Sequence, residues 1–366
     1  MENRIDRLPD HVLVQILSKV GGPREITRLA GVSRQFRSAS RAHKLWETVA
    51  FEGNDRICLY QLTAFIKSPF AVGVVNLCIE GFVVRKPEQG TQSTVTNSVL
   101  ELIGRRMTKL KKFRIWNANI CSVKIKSFPK RLESLSLEGC IIECNFLAAL
   151  SRRDILPRLK HLDLNYVHNL ASYSDSFPAI LKKKSLETVL LRHCSKIANS
   201  ELSKLTLLPA LTVLNVSEIA AINDQVLKAF STNLRLEKLY IAFTFITDAG
   251  INHFCDEKRH RLRLLDIRGC MKVTAQSLVS LEMKTRLKEV WISAKMPGAA
   301  EAREGLSRLK VQDEIDLNKL SIAMDLSKYS THFAEVLELE QDNNGDDVVL
   351  ENRMPVPDNI AQYFGR

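Results

Sequence analysis

Leu186-Glu187-Thr188-Val189-Leu190-Leu191-Arg192-His193-Cys194 carries the pattern that decides the fold. Leu186, Val189 and Leu191 follow the order apolar, two variable, apolar, one variable, apolar. A cysteine stands three residues after the last of them. The phrase recurs on both sides. Upstream it reads Leu110-Phe113-Ile115, Leu132-Leu135-Leu137 and Leu159-Leu162-Leu164. Downstream it reads Leu211-Leu214-Val216, Leu236-Leu239-Ile241, Leu262-Leu265-Ile267 and Leu287-Val290-Ile292. The starts are separated by 22, 27, 27, 25, 25, 26 and 25 residues, and a weaker copy, Val74-Leu77-Ile79, lies upstream. Alternate residues of a strand share a face, so the last two apolar positions point to one side of a short strand. The first closes the turn that enters it.

Between the phrases lie stretches with helix signals. Ala198-Asn199-Ser200-Glu201 leads to Leu205, Asn223-Asp224 to Phe230, Thr247-Asp248 to Phe254, and Thr274-Ala275 to Leu281. Each has a capping candidate followed by apolar residues at three- to four-residue spacing. Every repeat is therefore read as one strand plus one helix, neither able to bury its apolar face without stacked neighbours. A period of about 20–29 residues with this phrase resembles the leucine-rich repeat. The expected class is α/β: a horseshoe-shaped leucine-rich-repeat solenoid of about nine strand–helix repeats over residues 51–310. Cys140, Cys194 and Cys270 take the site that holds Asn or Cys in such repeats. There the side chain turns inward toward the neighbouring turn's backbone. The phrases at 191–197 and 267–274 resemble the cysteine-containing subclass common in F-box proteins. These thiols are read as structural, since buried cysteine acts as a small hydrophobe. Cys140 and Cys144 with His161, His193 and Cys194 fit no common zinc spacing, so no metal site is assigned.

Residues 1–50 read as a separate module. Asp10 can cap a helix bearing Val12, Leu13, Ile16, Leu17 and Val20. Gly21-Gly22 ends it, and Pro23 opens a second helix with Ile26, Leu29 and Val32. A third stretch runs from Arg34 to Leu45 and carries Phe36 and Ala39. About 45 residues is too few for a robust independent core, so the surplus apolar surface points to a partner. Leu8-Pro9-Asp10, Ile16-Leu17, Pro23-Arg24-Glu25-Ile26, Leu29-Ala30-Gly31-Val32-Ser33-Arg34 and Leu45-Trp46 together closely resemble an F-box. Phe36 stands where Trp is usual, Ile26 where Leu is usual, and the paired Gly21-Gly22 is less typical. The chain is similar to F-box/leucine-rich-repeat proteins. That resemblance implies a substrate receptor of a Skp–cullin–F-box ubiquitin ligase. The F-box would dock on the Skp adaptor, and through it a cullin, while the repeats hold a protein substrate. Matched by position, the apolar set is Leu8, Pro9, Val12, Leu13, Ile16, Leu17, Ile26, Leu29 and Val32. Leu8, Pro9, Ile16 and Leu17 are assigned to the adaptor. Read as a plain solenoid cap instead, these helices need no partner.

The variable strand positions line the concave sheet. Arg114, Trp116, Tyr166, Arg192, Tyr240, Phe243, Arg268 and Trp291 are the candidate substrate-binding residues, because exposed aromatic and Arg side chains anchor interfaces. Arg152-Arg153, Lys182-Lys183-Lys184 and Lys258-Arg259-His260-Arg261 fall near predicted helix ends, where cations complement the dipole. Together they favour an acidic or phosphorylated substrate. Nucleic acid is disfavoured, since no zinc-finger or RNA-recognition pattern accompanies the charge.

The 366 residues are 45% hydrophobic and 26% charged, with net charge +12. The charge is uneven. Asp313–Arg366 holds 12 acidic and 4 basic residues, so it carries −8 and the rest +20. Residues 311–366 are read as an acidic, partly flexible tail that could screen the basic body. A short helix over 301–309 is expected to cap the array. No apolar run approaches the length of a membrane helix, and the charged N-terminus lacks a signal peptide's apolar stretch. Reduced cysteines in the cytoplasm or nucleus are expected. No phosphate loop, metalloprotease motif or nucleophile elbow occurs, so no catalytic residue and no cofactor is assigned. Two alternatives to the receptor stay open: an F-box scaffold that does not promote ubiquitination, and a basic repeat module for an acidic ligand.

Overall fold

A computed structural model describes residues 8–20, 22–52, 57–81, 95–170, 175–256, 261–293, 296–299, 306 and 309–312. The acidic tail, most of the expected 301–309 cap, and the basic residues 258–260 lie outside the described residues. Two units divide the chain, Met1–Gln312 and Asp313–Arg366.

Three helices open the first unit: α1 (Asp10–Val20), α2 (Pro23–Leu29) and α3 (Arg34–Ala39). Pro23 sits in the first turn of α2, where its missing N–H costs nothing. Ser33 caps α3, its hydroxyl accepting from the Phe36 N–H at 3.2 Å. Leu13, Leu17, Ile26, Phe36 and Ala39 form the small core between them. A 3-10 turn, His43–Trp46, follows. The Trp46 indole N–H donates to the Ser40 carbonyl at 2.7 Å, and its ring stacks on Phe70 at 4.5 Å. Trp46 thereby ties the helical module to the first repeat, leaving no linker between them. Trp46, Val49 and Phe51 repeat the apolar spacing, and β1 (Thr48–Phe51) already pairs with β2 (Asn76–Glu80), Val49 opposite Leu77.

Nine further strands continue the sheet: β3 (Lys112–Trp116), β4 (Ser134–Ser136), β5 (His161–Asp163), β6 (Thr188–Leu190), β7 (Val213–Asn215), β8 (Lys238–Tyr240), β9 (Leu264–Asp266), β10 (Glu289–Trp291) and β11 (Lys310–Gln312). The sheet runs in strict sequence order, and every pairing between neighbours is parallel. Among the described residues the sheet holds eleven strands, the nine that the phrase marks with β1 before them and β11 after them. The second apolar residue of each phrase faces its counterpart, as Leu135 faces Phe113 and Leu162. A single apolar row therefore runs under the sheet, which defines a leucine-rich-repeat solenoid.

The return segments carry α4 (Leu59–Lys67), α5 (Asn97–Arg106), α6 (Ser176–Lys182), α7 (Asn199–Ser203), α8 (Asp224–Ser231), α9 (Asp248–Asp256) and α10 (Ala275–Lys284). Two repeats differ from the expected strand-plus-helix plan. After β3 and β4 the return is a 3-10 turn, Ile125–Ser127 and Ala148–Ser151. The 22-residue repeat that starts at Leu110 leaves too little chain for a full helix. Elsewhere the capping residues also clamp neighbours together. Asn223 accepts from the Gln225 and Val226 N–H groups. Asp224, at the start of α8, accepts from the Thr247 N–H (2.8 Å) and hydroxyl (2.7 Å) of the next repeat. Asp248, at the start of α9, accepts in the same way from Thr274, and also from the Ser277 hydroxyl.

A second device recurs just past the strands. Asn117, Gly139, Tyr166, His193, Glu218, Phe243 and Gly269 all have positive φ, and each lies two residues beyond the last apolar residue of its phrase. Here the chain bends away from the strand while keeping its hydrogen bond. Tyr166 N–H donates to the Arg192 carbonyl, His193 to Ser217, and Phe243 to Arg268. One residue further on, Cys140, Cys194 and Cys270 turn inward. Their thiols donate to the carbonyls of Ile115, Leu164 and Ile241 in the preceding repeats, at 3.1–3.3 Å. Burial pushes the Cys140 thiol up to about 12 and raises Cys194 and Cys270 in the same sense. These are packed structural thiols, as the sequence reading expects.

Candidate functional site

The helical module presents part of its apolar set to solvent. Ile16, Val20 and Val32 are 38%, 44% and 66% exposed. Pro9 is exposed, and Leu8, Val12 and Leu29 are half-buried. Leu13, Leu17 and Ile26 are buried in the module's own core. Leu13, Leu17 and Ile26 therefore leave the set expected to meet a partner, because the module spends those positions on its own packing. Val20 and Val32 join Ile16 as the large apolar groups open to a partner. A helical stripe of Leu13, Ile16, Leu17 and Val20 spans one broad face, so spacing alone does not separate its buried edge from its exposed one.

The open face of the sheet holds the second candidate surface. Adjacent strands lie about 4.8 Å apart, so large side chains there cover one another. Arg114, Trp116, Tyr240 and Trp291 are buried, Trp291 completely. The expectation that all eight candidates form an exposed patch is corrected for these four. Tyr166 and Phe243 are half-buried and stand on the positive-φ turns past the strands, not on the strands themselves. Arg192 and Arg268 are half-buried and reach solvent beside them.

Buried charge organises this face. The Arg114 guanidinium donates to a Glu138 carboxylate oxygen at 2.7 Å, and the two side chains are 5% and 2% exposed. Arg114 also lies over the Trp116 ring at 5.3 Å. Burial pushes the Glu138 carboxyl up to about 7, and Asp163 adds to that. Arg114 and Arg192 oppose the shift without cancelling it. Burial raises Asp163 as well, against the Asn165 N–H and the Ser136 hydroxyl that donate to it.

Further along, Arg192 Nε donates to Glu218 at 2.6 Å while its guanidinium covers the Tyr166 ring at 5.4 Å. His193 Nδ1 lies 3.3 Å from the same carboxylate. Burial acts to raise Glu218, but His193 and Arg192 together hold it below the usual carboxylate range. The Tyr166 and His193 rings stack at 5.6 Å. At the far end Arg268 grips Asp266 through two hydrogen bonds of 2.8 and 2.7 Å and covers Trp291 at 4.8 Å. Trp291 is held by Tyr240 on one side, and its indole N–H donates to Glu289 at 2.8 Å. Arg–aromatic stacking of this kind fixes the cation's plane, and the neighbouring carboxylate holds its edge.

Glu138, Asp163, Glu218 and Asp266 fall at variable positions of the concave sheet by sequence, and the structure adds them to the site as its carboxylates. Their signal was present. Glu218 stands beside Ser217, the position that matches Arg192 one repeat on, whereas Glu138 stands two residues beyond the position that matches Arg114, and Asp266 two residues before Arg268. The basic clusters have local roles. The Lys183 ammonium is buried and donates to the Ile155 carbonyl, while Arg152 is paired with Asp154.

The N-terminal module and the solenoid define a chain that joins an F-box-like segment to leucine-rich repeats. The F-box-like family model matches residues 5–52, which also takes in β1. Among solved structures, an internalin (inlF) of Listeria monocytogenes aligns at 17% identity and TM-score 0.43. The alignment covers 67% of this chain and 62% of the internalin chain, so this chain spans less than two thirds of that relative's length. Internalin C2 of the same organism aligns at 17% identity and TM-score 0.35, covering 56% of this chain and 86% of its own. The repeat architecture stands on the strand register described above rather than on these likenesses. A search of the curated proteins returns no match. Both parts are protein-interaction modules, and no described helix is long and apolar enough to cross a membrane.

Proposed function

We propose that the chain is the substrate-recognition subunit of a Skp–cullin–F-box ubiquitin ligase, acting in the cytoplasm or nucleus. The match over residues 5–52 carries this reading, together with the exposed Ile16, Val20 and Val32 that the module's own core leaves unused. In this reading those three residues, with Pro9 and the half-buried Leu8, Val12 and Leu29, meet the Skp adaptor, and the cullin is reached through it. A protein substrate rests on the open sheet face, touching Tyr166, Arg192, Phe243 and Arg268. Arg114, Trp116, Tyr240 and Trp291 lie beneath as the support that fixes those groups. The chain contributes no chemistry of its own. It raises the substrate's effective concentration at the transferring subunits. An acidic or phosphorylated substrate, in this reading, competes with Glu218 and Asp266 for the guanidiniums of Arg192 and Arg268.

Affinity capture with and without residues 5–52, under proteasome inhibition, tests the proposal. Proteins that bind both forms and accumulate only with the intact chain's ligase activity blocked are substrates. Stable partners whose abundance ignores the F-box deletion favour the non-degradative scaffold instead.

A further inference from the structure

We infer that the groove between α5 and the 3-10 turn Ile125–Ser127 is a binding site for a short acidic peptide segment. This site lies on the return side of the solenoid, away from the open sheet face, and the inference does not rest on the adaptor reading. A cavity of about 520 Å³ occupies the groove. Its origin is the short repeat that starts at Leu110. The ten-residue α5 extends about 15 Å, whereas the next repeat answers it with a three-residue turn. The mismatch leaves space that paired helices fill elsewhere. The volume falls within the ~300–1,000 Å³ usual for ligand sites.

The lining is strongly one-signed. Arg105, Lys126, Lys130 and Arg131 surround the cavity against a single carboxylate, Glu101. The dipole of α5 accounts for Arg105 in its last turn, but not for the other three, which come from the facing repeat. Arg131 donates to the Thr108 carbonyl at 2.9 Å, which holds it across the groove. Lys130 acts also on Asp154, but that carboxylate is already gripped by Arg152 at 3.0 and 2.9 Å. Three of the four cations are therefore open to an incoming anion. Met107, Phe128 and Pro129 close the groove from beneath and are themselves buried, so the cationic rim is what the groove offers a ligand. A rim of one sign suits a peptide segment rich in carboxylates. Nucleic acid fits less well. Phe128 is the one aromatic residue in the lining and is 2% exposed, so a base finds no ring to stack on.

The test is fluorescence anisotropy of a labelled Glu-Glu-Leu-Glu-Glu peptide titrated with the full chain. Saturable binding is expected. Arg105→Glu with Lys126→Glu and Lys130→Glu should weaken it about tenfold or more. The matched control, Lys182→Glu with Lys228→Glu and Arg235→Glu, changes net charge equally and should cost at most about twofold. Gly104→Leu fills the groove mouth without altering charge. A Cβ at Gly104 meets only Pro129, at ordinary contact distances of 3.7–3.9 Å, so this variant should fold and yet lose about tenfold in affinity. Four results would overturn the inference: no saturable binding by the wild type, equal losses in the two triple variants, wild-type affinity in Gly104→Leu, or full displacement of the peptide by equimolar inorganic phosphate or an oligouridylate.

Discussion

Arg114 on β3 and Glu138, two residues past the end of β4, form an ion pair of 2.7 Å that is almost wholly removed from water. Removing two charges from water costs several kcal/mol, and their attraction offsets this only with good geometry and further hydrogen bonds. Here burial wins at the carboxyl, which is pushed up to about 7. Glu138 thus binds its proton more tightly folded than unfolded. Its contribution is fully present below its ordinary value of 4.5 and is lost as pH rises through about 7. Chemical denaturation at pH 5 and pH 8 should show the wild type losing on the order of 1–3 kcal/mol relative to Glu138→Gln across that interval. A parallel pH dependence in the two proteins would contradict the assignment.

The clamp between successive helices makes a separate prediction. Asp248 accepts from the N–H and hydroxyl of Thr274 and from Ser277. Asp248→Ala strands these donors and should cost about 1–3 kcal/mol. Thr274→Val keeps the N–H contact and should cost about 1 kcal/mol. In urea unfolding, the double variant should lose less than the sum of the two, because the residues share one interaction. Additive losses would show that the clamp carries no stability.

Gly269 has φ of +67°, and a Cβ placed there would lie 2.2 Å from Phe243. Gly269→Ala should therefore lose about 2 kcal/mol or more, from backbone strain and overpacking together. Adding Phe243→Ala should recover part of that loss, leaving the backbone share. If Gly269→Ala unfolds at the wild-type midpoint, the turn tolerates a side chain and the bend described above is wrong.

The thiols should differ in reactivity. Cys58 is exposed, whereas Cys140, Cys194 and Cys270 are buried and raised. The thiolate is the attacking species, so native-state labelling with a disulfide reagent at pH 8 should modify Cys58 first. The three inward thiols should react only on unfolding. Early labelling of Cys194 under native conditions would count against its packed role.

Much of the fold could be read from the chain because its core is periodic. Leu135, Leu162 and Leu239 occupy matching places in the phrase and in the sheet. The ends were harder. Trp46, Val49 and Phe51 have the right spacing but also read as the close of the helical module, and the structure gives them both duties. Leu306, Leu309 and Val311 keep the spacing too, yet β11 places Val311 opposite Val290, at the phrase's second position rather than its third. The open face was legible in composition but not in exposure. Whether Trp291 is covered depends on Tyr240 and Arg268 in other repeats, and a single phrase does not contain them. The helical module was hard to read at Leu13 and Leu17 for a related reason, since one turn of helix separates these buried positions from the exposed Ile16 and Val20 of the same stripe.

The proposed function stands on the exposed apolar side chains of the N-terminal module. Isothermal titration of the purified full chain with a purified Skp adaptor tests it most directly. The wild type should bind, and Ile16→Asp with Val32→Asp should weaken binding by at least about tenfold while leaving the melting temperature within a few degrees, because neither side chain belongs to the core. Absence of wild-type binding, or undiminished binding by the double variant, would contradict the account.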